Sequence, residues 1–286
     1  MSRIVYVNGR YVPYAQAAVH AEDRGFQFGD GIYEVCEVRG GRLIDEARHM
    51  QRLARSLGEL EIAAPMSAAA LGHVMREVIR RNRVKDGLVY LQVTRGAAPR
   101  EFLFPADTEP TVVCLARPMA SAGLDARALE GIAVKSMPDI RWQRCDIKTV
   151  MLLPACLAKE AARQDGAREA WFIDADGFVT EGASSNAWIV DAGGAVITRQ
   201  LSSAILPGVT RATLRDVLEG EGITLTERPF RLDEAYSARE AFITSATQTV
   251  MPVVRIDGRP IADGKPGPVA QRLRLNFHQI AAISSA

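Results

Sequence analysis

The sequence predicts an α+β protein in two domains. Three observations lead there. Strand-like and helix-like runs are grouped in both halves of the 286 residues, without the regular strand–helix alternation that builds a doubly wound sheet. Residues 117–125 (R-P-M-A-S-A-G-L-D) gather Pro, Gly and small side chains, the best linker candidate in the chain. The length suits one large domain or two ordinary ones. We therefore expect a small N-terminal domain over 1–118, a linker at 119–125 and a larger domain over 126–286.

The elements follow in order. Residues 4–7 and 10–12 flank Asn8-Gly9, a strong hairpin signal. I-Y-E-V-C-E-V (32–38) alternates like a strand, Gly40-Gly41 turns the chain and 42–44 return. Residues 46–58 place Met50, Leu53, Ala54 and Leu57 at helical spacing, with Gly58 as the expected stop. A second helix fits 67–82, where Leu71, Val74, Met75, Val78 and Ile79 share a face. Strands fit 88–94 and 111–116. Beyond the linker come a strand at 132–136, a helix near 150–163, and strands at 169–174 and 186–191 around Asp176-Gly177. A short strand (195–198), a helix opening near 209, a strand near 241–244 and a helix near 267–282 complete the pass.

Composition excludes several function classes. Charged residues make up 24% and hydrophobic residues 48%, ordinary for a soluble globular protein. A net charge of +1 gives no electrostatic reason to expect nucleic acid or an anionic membrane as partner. The four cysteines (36, 114, 145, 156) and four histidines (20, 49, 73, 278) are dispersed. That argues against a disulfide framework and against any metal site. The N-terminal stretch alternates like a strand and does not read as a signal peptide. No apolar run approaches the ~20 residues that span a bilayer. A reducing cytoplasm is the expected location.

Lysine is scarce: five (85, 135, 148, 159, 265) against thirty arginines. A lone lysine is usually a solvated charge. Lys148, however, precedes V-M-L-L, so its stem is expected in apolar surroundings, where the neutral amine becomes accessible. Arginine could not replace an amine that must give up its proton. Such an amine can form a Schiff base with an aldehyde cofactor.

Glu181 follows a strand–turn–strand (F-I-D-A-D-G-F-V-T-E). It reads either as a hairpin-edge carboxylate or as one that keeps a pyridinium nitrogen protonated. Gly182–Ser185 leaves room there for a flat ligand. A-I-L-P-G-V-T-R (204–211) puts glycine before a helix start with Thr210 in the first turn, an anion site by geometry or a plain cap. F-I-T-S-A-T-Q-T-V (242–250) ends in small hydroxyl residues, a polar turn or a second wall of a phosphate pocket. Arg52 lies on the 46–58 helix, where a solvated face is the commoner case, yet it neighbours Leu53 and falls three residues after His49.

Six stretches in order resemble the class IV pyridoxal-phosphate aminotransferases, and within them the D-amino-acid aminotransferases. They are Q-F-G-D-G-I-Y-E-V (27–35), H-M-Q-R-L (49–53), T-R-G-A-A-P-R (94–100), R-C-D-I-K (144–148), T-E-G-A-S-S-N (180–186) and L-P-G-V-T-R (206–211). The resemblance covers about residues 3–275. It implies a fold type IV enzyme, with a small α/β domain and a larger, β-barrel-like, cofactor-binding domain carrying helices. It implies that Lys148 holds pyridoxal 5'-phosphate as a Schiff base and moves the substrate proton, and that Glu181 pairs with the ring nitrogen. Arg52, Val209, Thr210 and the turn Ser245, Ala246, Thr247 would bind the phosphate, and Leu206 would pack on the ring. Tyr33 and Arg100 would hold the substrate carboxylate, Arg100 reaching in from the partner of a homodimer whose site lies between the domains. The partners would be a D-amino acid donor and a 2-oxo acid acceptor, used in two half-reactions.

One departure stands out. The D-specific pattern usually carries R-x-H after the proline, and here the third position is Phe102, after Arg100 and Glu101. Losing one charge-assisted donor costs ~1.5–3 kcal/mol of carboxylate binding if nothing replaces it. That suggests a high KM for D-amino acids and some activity on (R)-amines. Arg144 and Asp146 read as scaffold. The same fold serves branched-chain aminotransferases and 4-amino-4-deoxychorismate lyases, and a non-catalytic carrier of the cofactor is the alternative outside enzymes.

Overall fold

The computed structural model describes residues 3–283. The chain forms two compact units. The first comprises Met1–Ser121, Ile147–Met151 and Ala282–Ala286, the second Ala122–Asp146 and Leu152–Ala281.

The first unit is built on an antiparallel sheet of β1 (Ile4–Val7), β2 (Arg10–Pro13), β3 (Gly31–Arg39), β4 (Arg42–Leu43), β5 (Gly87–Thr94) and β6 (Thr111–Pro118). Its order is β2-β1-β6-β5-β3-β4. The first hairpin turns at Asn8 (φ 42°) and Gly9 (φ 84°), left-handed conformations that Asn and Gly tolerate best. A short helix, α1 (Arg24–Phe28), is capped by the Asp23 side chain. Helices α2 (Glu46–Glu59) and α3 (Ala68–Asn82) share one core with the sheet. Met50, Leu53 and Leu57 of α2 and all five expected residues of α3 are buried there. Two details of α2 differ from the sequence reading. The helix runs past Gly58 to Glu59, and Ala54 is exposed. The buried face instead takes in His49, Arg52 and Ser56.

The second unit contains a mixed nine-stranded sheet. Its strands are β7 (Ile132–Pro138), β8 (Glu169–Ile173), β9 (Val179–Gly182), β10 (Asn186–Val190), β11 (Val196–Thr198), β12 (Leu225–Glu227), β13 (Glu240–Ser245), β14 (Thr249–Ile256) and β15 (Arg259–Pro260). The main path runs β12-β11-β10-β13-β14-β7-β8-β9. Val179 of β9 and Ile197 of β11, from opposite ends of that path, join one core with Ile132, Trp171, Ile189, Ile243 and Met251. The sheet therefore curls around its inner face, as the barrel-like expectation requires. The alternate residues Trp188, Val190 and Phe242 face outward onto α6 (Val209–Gly220) and α8 (Pro268–Ile280), the period-2 signature of a sheet covered on both sides. Helices α4 (Ser121–Glu130), α5 (Leu153–Gln164) and α7 (Leu232–Ser237) complete the unit.

The linker expected at 119–125 is helical from Ser121, because its small residues lead straight into the helix formers L-D-A-R-A-L-E. β14 escaped the sequence reading because Pro252 interrupts T-V-M-P-V-V-R-I, and proline argues against a central strand. It is accommodated because the parallel pairing with β7 begins only at Val253. The helix expected near 150 starts at Leu153, since Thr149 bridges to Ile32 of β3. No helix among the described residues is long and apolar enough to cross a membrane.

Candidate active site

Lys148 lies in the short segment that the first unit takes from the middle of the chain. Ile147 is buried in the core beside β3, and Thr149 is buried against Ile32. Between them Lys148 is half-buried. Its Nζ lies 4.1 Å from the centre of the Tyr33 ring. The backbone is pinned twice: the Tyr33 N–H donates to the Lys148 carbonyl (3.0 Å), and the Lys148 N–H donates to Ser56 Oγ (3.3 Å). The apolar neighbour that seats the lysine is Ile147, not V-M-L-L as expected: Met151 is 40% exposed, Leu152 38% and Leu153 70%. Tyr33 in turn stacks on Tyr90, at 5.6 Å between ring centres.

Arg52 is buried rather than solvated. Its Nε and Nη2 donate to the two Glu34 oxygens, each at 2.8 Å, and His49 Nδ1 is 2.7 Å from Glu34 Oε2. Arg100 and Phe102 sit together on the surface of the same unit. The Arg100 guanidinium lies 5.2 Å from the Phe28 ring and 5.9 Å from that of Phe102, which is 76% exposed.

Glu181 belongs to the second unit and is buried at the end of β9. Arg141 Nη1 donates to Oε1 at 2.5 Å, while the Leu206 N–H and the Asn186 amide each donate to Oε2 at 3.0 Å. Burial pushes its carboxyl up to about 7, against the downward pull of Arg141 and of the Leu206 N–H. Arg141 is not Glu181's alone: its Nε and Nη2 grip Asp139 at 2.9 and 2.7 Å. Asn186 also donates to the Leu206 carbonyl (3.0 Å), so one amide ties Glu181 to the loop before α6.

That loop ends at Gly208, the N-cap of α6. A Cβ on Gly208 would sit 2.1 Å from Asn186 Oδ1, so only glycine fits beside that amide. No side chain caps α6, and by position the N–H groups of Val209, Thr210 and Arg211 lack intrahelical acceptors. The turn between β13 and β14 holds Ser245 Oγ 3.2 Å from Thr247 Oγ1, with Ala246 between them. Arg144 grips Asp146 through two bonds of 3.0 and 3.1 Å.

Within the first unit Lys148 thus meets Tyr33, and within the second Glu181 meets Leu206. Four neighbours were missed as site residues: Glu34, His49, Arg141 and Asn186. Glu34, His49 and Asn186 stood inside quoted motifs, and Arg141 lies three residues before R-C-D-I-K. Only the His49–Arg52 spacing hinted at its partner, because the others are selected by contacts remote in sequence.

The family model for Amino-transferase class IV matches residues 31–256. The D-alanine aminotransferase of Bacillus licheniformis is 38% identical over 270 residues, 94% of each chain. That of Staphylococcus haemolyticus is 38% identical over 277 residues, 96% of each. Among solved structures, the Escherichia coli branched-chain amino acid aminotransferase superposes with a TM-score of 0.89 at 25% identity, covering 98% of this chain and 95% of that one. The Thermoproteus uzoniensis branched-chain aminotransferase gives 0.87 at 26%, covering 98% and 94%. The chain belongs to the class IV aminotransferases.

Proposed function

We propose that this enzyme transaminates D-amino acids. It takes the amino group from a donor such as D-alanine, leaves the 2-oxo acid, and passes the amino group to an acceptor such as 2-oxoglutarate. The observation that carries the D-specific reading is the 38% identity to D-alanine aminotransferases over 94–96% of the chain. The branched-chain enzymes share the fold at 25–26% identity and support that alternative less.

The cofactor of this class is pyridoxal 5'-phosphate, and the residues present fit it. A buried carboxylate suits a ring nitrogen, an uncapped helix start with nearby hydroxyls suits a phosphate, and a lysine held over an aromatic ring suits an aldehyde. When bound, the cofactor supplies that aldehyde and, with its nitrogen protonated, a ring that draws electrons from the substrate Cα. Glu181 holds the proton at that nitrogen, and a carboxyl poised at about 7 can share it. Lys148 Nζ would take the proton from the Cα of the donor and, in the second half-reaction, deliver one to the Cα of the acceptor. Arg52, Val209, Thr210, Ser245, Ala246 and Thr247 hold the phosphate, and Leu206 packs on the ring. Tyr33 and Arg100 bind the substrate carboxylate, with Arg100 supplied by the second subunit of a homodimer. Phe102 weakens that grip, so KM for D-amino acids is high and (R)-amines are turned over slowly. A cytoplasmic location belongs to the same reading.

The test is the visible absorbance of the bound cofactor during successive additions of D-alanine, L-leucine and an (R)-amine. D-alanine should change it, the (R)-amine more slowly, and L-leucine not at all; Lys148→Ala should abolish turnover of each. A response to L-leucine alone would move the enzyme to the branched-chain branch. Pyruvate released from aminodeoxychorismate without an amino acceptor would make it a lyase.

A further inference from the structure

We infer that Glu34 and His49 are positioning residues that aim Arg52 at the cofactor phosphate. The inference rests on the reading of Arg52 as a phosphate ligand and extends it to the two side chains that grip it.

The argument starts from an anomaly in β3. Its residues 32, 34, 36 and 38 are buried in alternation, and Ile32, Cys36 and Val38 belong to the hydrophobic core. Glu34 puts a carboxylate on that same face, with no side-chain exposure at all. An apolar residue would serve the core better, because a buried ion pair seldom repays the dehydration of both charges. Burial alone would push the Glu34 carboxyl up; Arg52, then His49, reverse this and hold it at about 2. The pair therefore stays ionised at any working pH, and its net charge is zero.

What the pair supplies to an anion is consequently direction rather than charge. Arginine is a long side chain with much rotamer freedom to lose. Glu34 takes its Nε and Nη2, the side-on grip that fixes both the plane and the rotation of the guanidinium. His49, one helical turn before Arg52 on α2, clamps Glu34 Oε2 from the same helix, so the carboxylate cannot swing. Setting the donors before the ligand arrives lowers the ordering cost of binding.

The test compares pyridoxal 5'-phosphate with pyridoxal, which carries the same aldehyde and ring nitrogen but no phosphate. Apparent dissociation constants of the apoenzyme are read from the visible absorbance of each. Glu34→Asp is the informative variant, because it keeps the charge and removes the reach. We expect it to weaken pyridoxal phosphate about tenfold, roughly one charge-assisted hydrogen bond, with pyridoxal changed less than twofold. His49→Gln, a milder change should Glu34→Asp not fold, should shift the same ratio by a few-fold. In Arg52→Lys the Glu34→Asp change should add little, since both act on one contact. Equal weakening of both ligands by Glu34→Asp and His49→Gln would overturn the positioning role and leave Arg52 as a ligand. If Arg52→Lys itself leaves the ratio unchanged, the phosphate reading of Arg52 falls, and this inference with it.

Discussion

Glu34 and Glu181 are both buried carboxylates with an arginine within hydrogen-bond distance, one in each unit. Their ionisation is driven in opposite directions, to about 2 for Glu34 and to about 7 for Glu181. Burial opposes charge in both, so the difference lies in how the arginine is divided. Arg52 gives Glu34 a two-point grip and His49 adds a third bond. Arg141 spends its two-point grip on Asp139 and offers Glu181 a single Nη1. An acid that owns its arginine is a fixed charge, fit to hold another side chain still. An acid that shares one is left near neutrality, fit to exchange a proton with a ring nitrogen.

The largest expected effect tests ownership directly. Glu34→Gln strands a buried arginine and should cost about 3–5 kcal/mol. Glu181→Gln mimics the protonated acid and leaves Arg141 on Asp139, so it should cost within about 1 kcal/mol. Urea unfolding of the two apoproteins at neutral pH measures both, and equal losses would break the comparison.

Activity should invert that order for Glu181. Glu181→Gln cannot keep a ring nitrogen protonated, and kcat should fall by about 10²–10³, the scale seen when one preorganised electrostatic contact is removed. Single-turnover rates with D-alanine check it, and a loss under threefold would leave Glu181 no part in holding the ring proton.

The last effect is in the pH dependence of stability. Glu181 is raised in the folded state, so its contribution is fully present below pH 4.5 and is lost as pH rises to about 7. Glu34 is depressed, so its contribution is present above pH 4.5 and is lost as pH falls toward about 2. The stability of wild type relative to Glu181→Gln should therefore decline between pH 4.5 and 7 and level off above. A difference that rises across that window would show that Arg141 outweighs burial at Glu181.

Much of the fold was legible because it rests on local periodicity. The hairpin at Asn8-Gly9, the apolar face of α3 and the alternation of β3 and β10 are written within a few residues of each other. Composition marked Lys148 as unusual, and the motif order supplied the family. What failed depended on contacts far away in sequence. Pro252 hides β14, which stands because β13 and β7 flank it. Gly58 does not stop α2, and V-M-L-L does not bury Lys148; Ile147 seats it because that residue reaches the core beside β3.

By itself, then, the sequence determined the α+β class, most elements, the scarce lysine and membership of one family, because those depend on spacing and residue type. Only the tertiary structure decided which acid owns its arginine. That choice joins Glu34 to Arg52 across 18 positions and Glu181 to Arg141 across 40. Electrostatic energy depends on distance and burial in space, which no local pattern encodes.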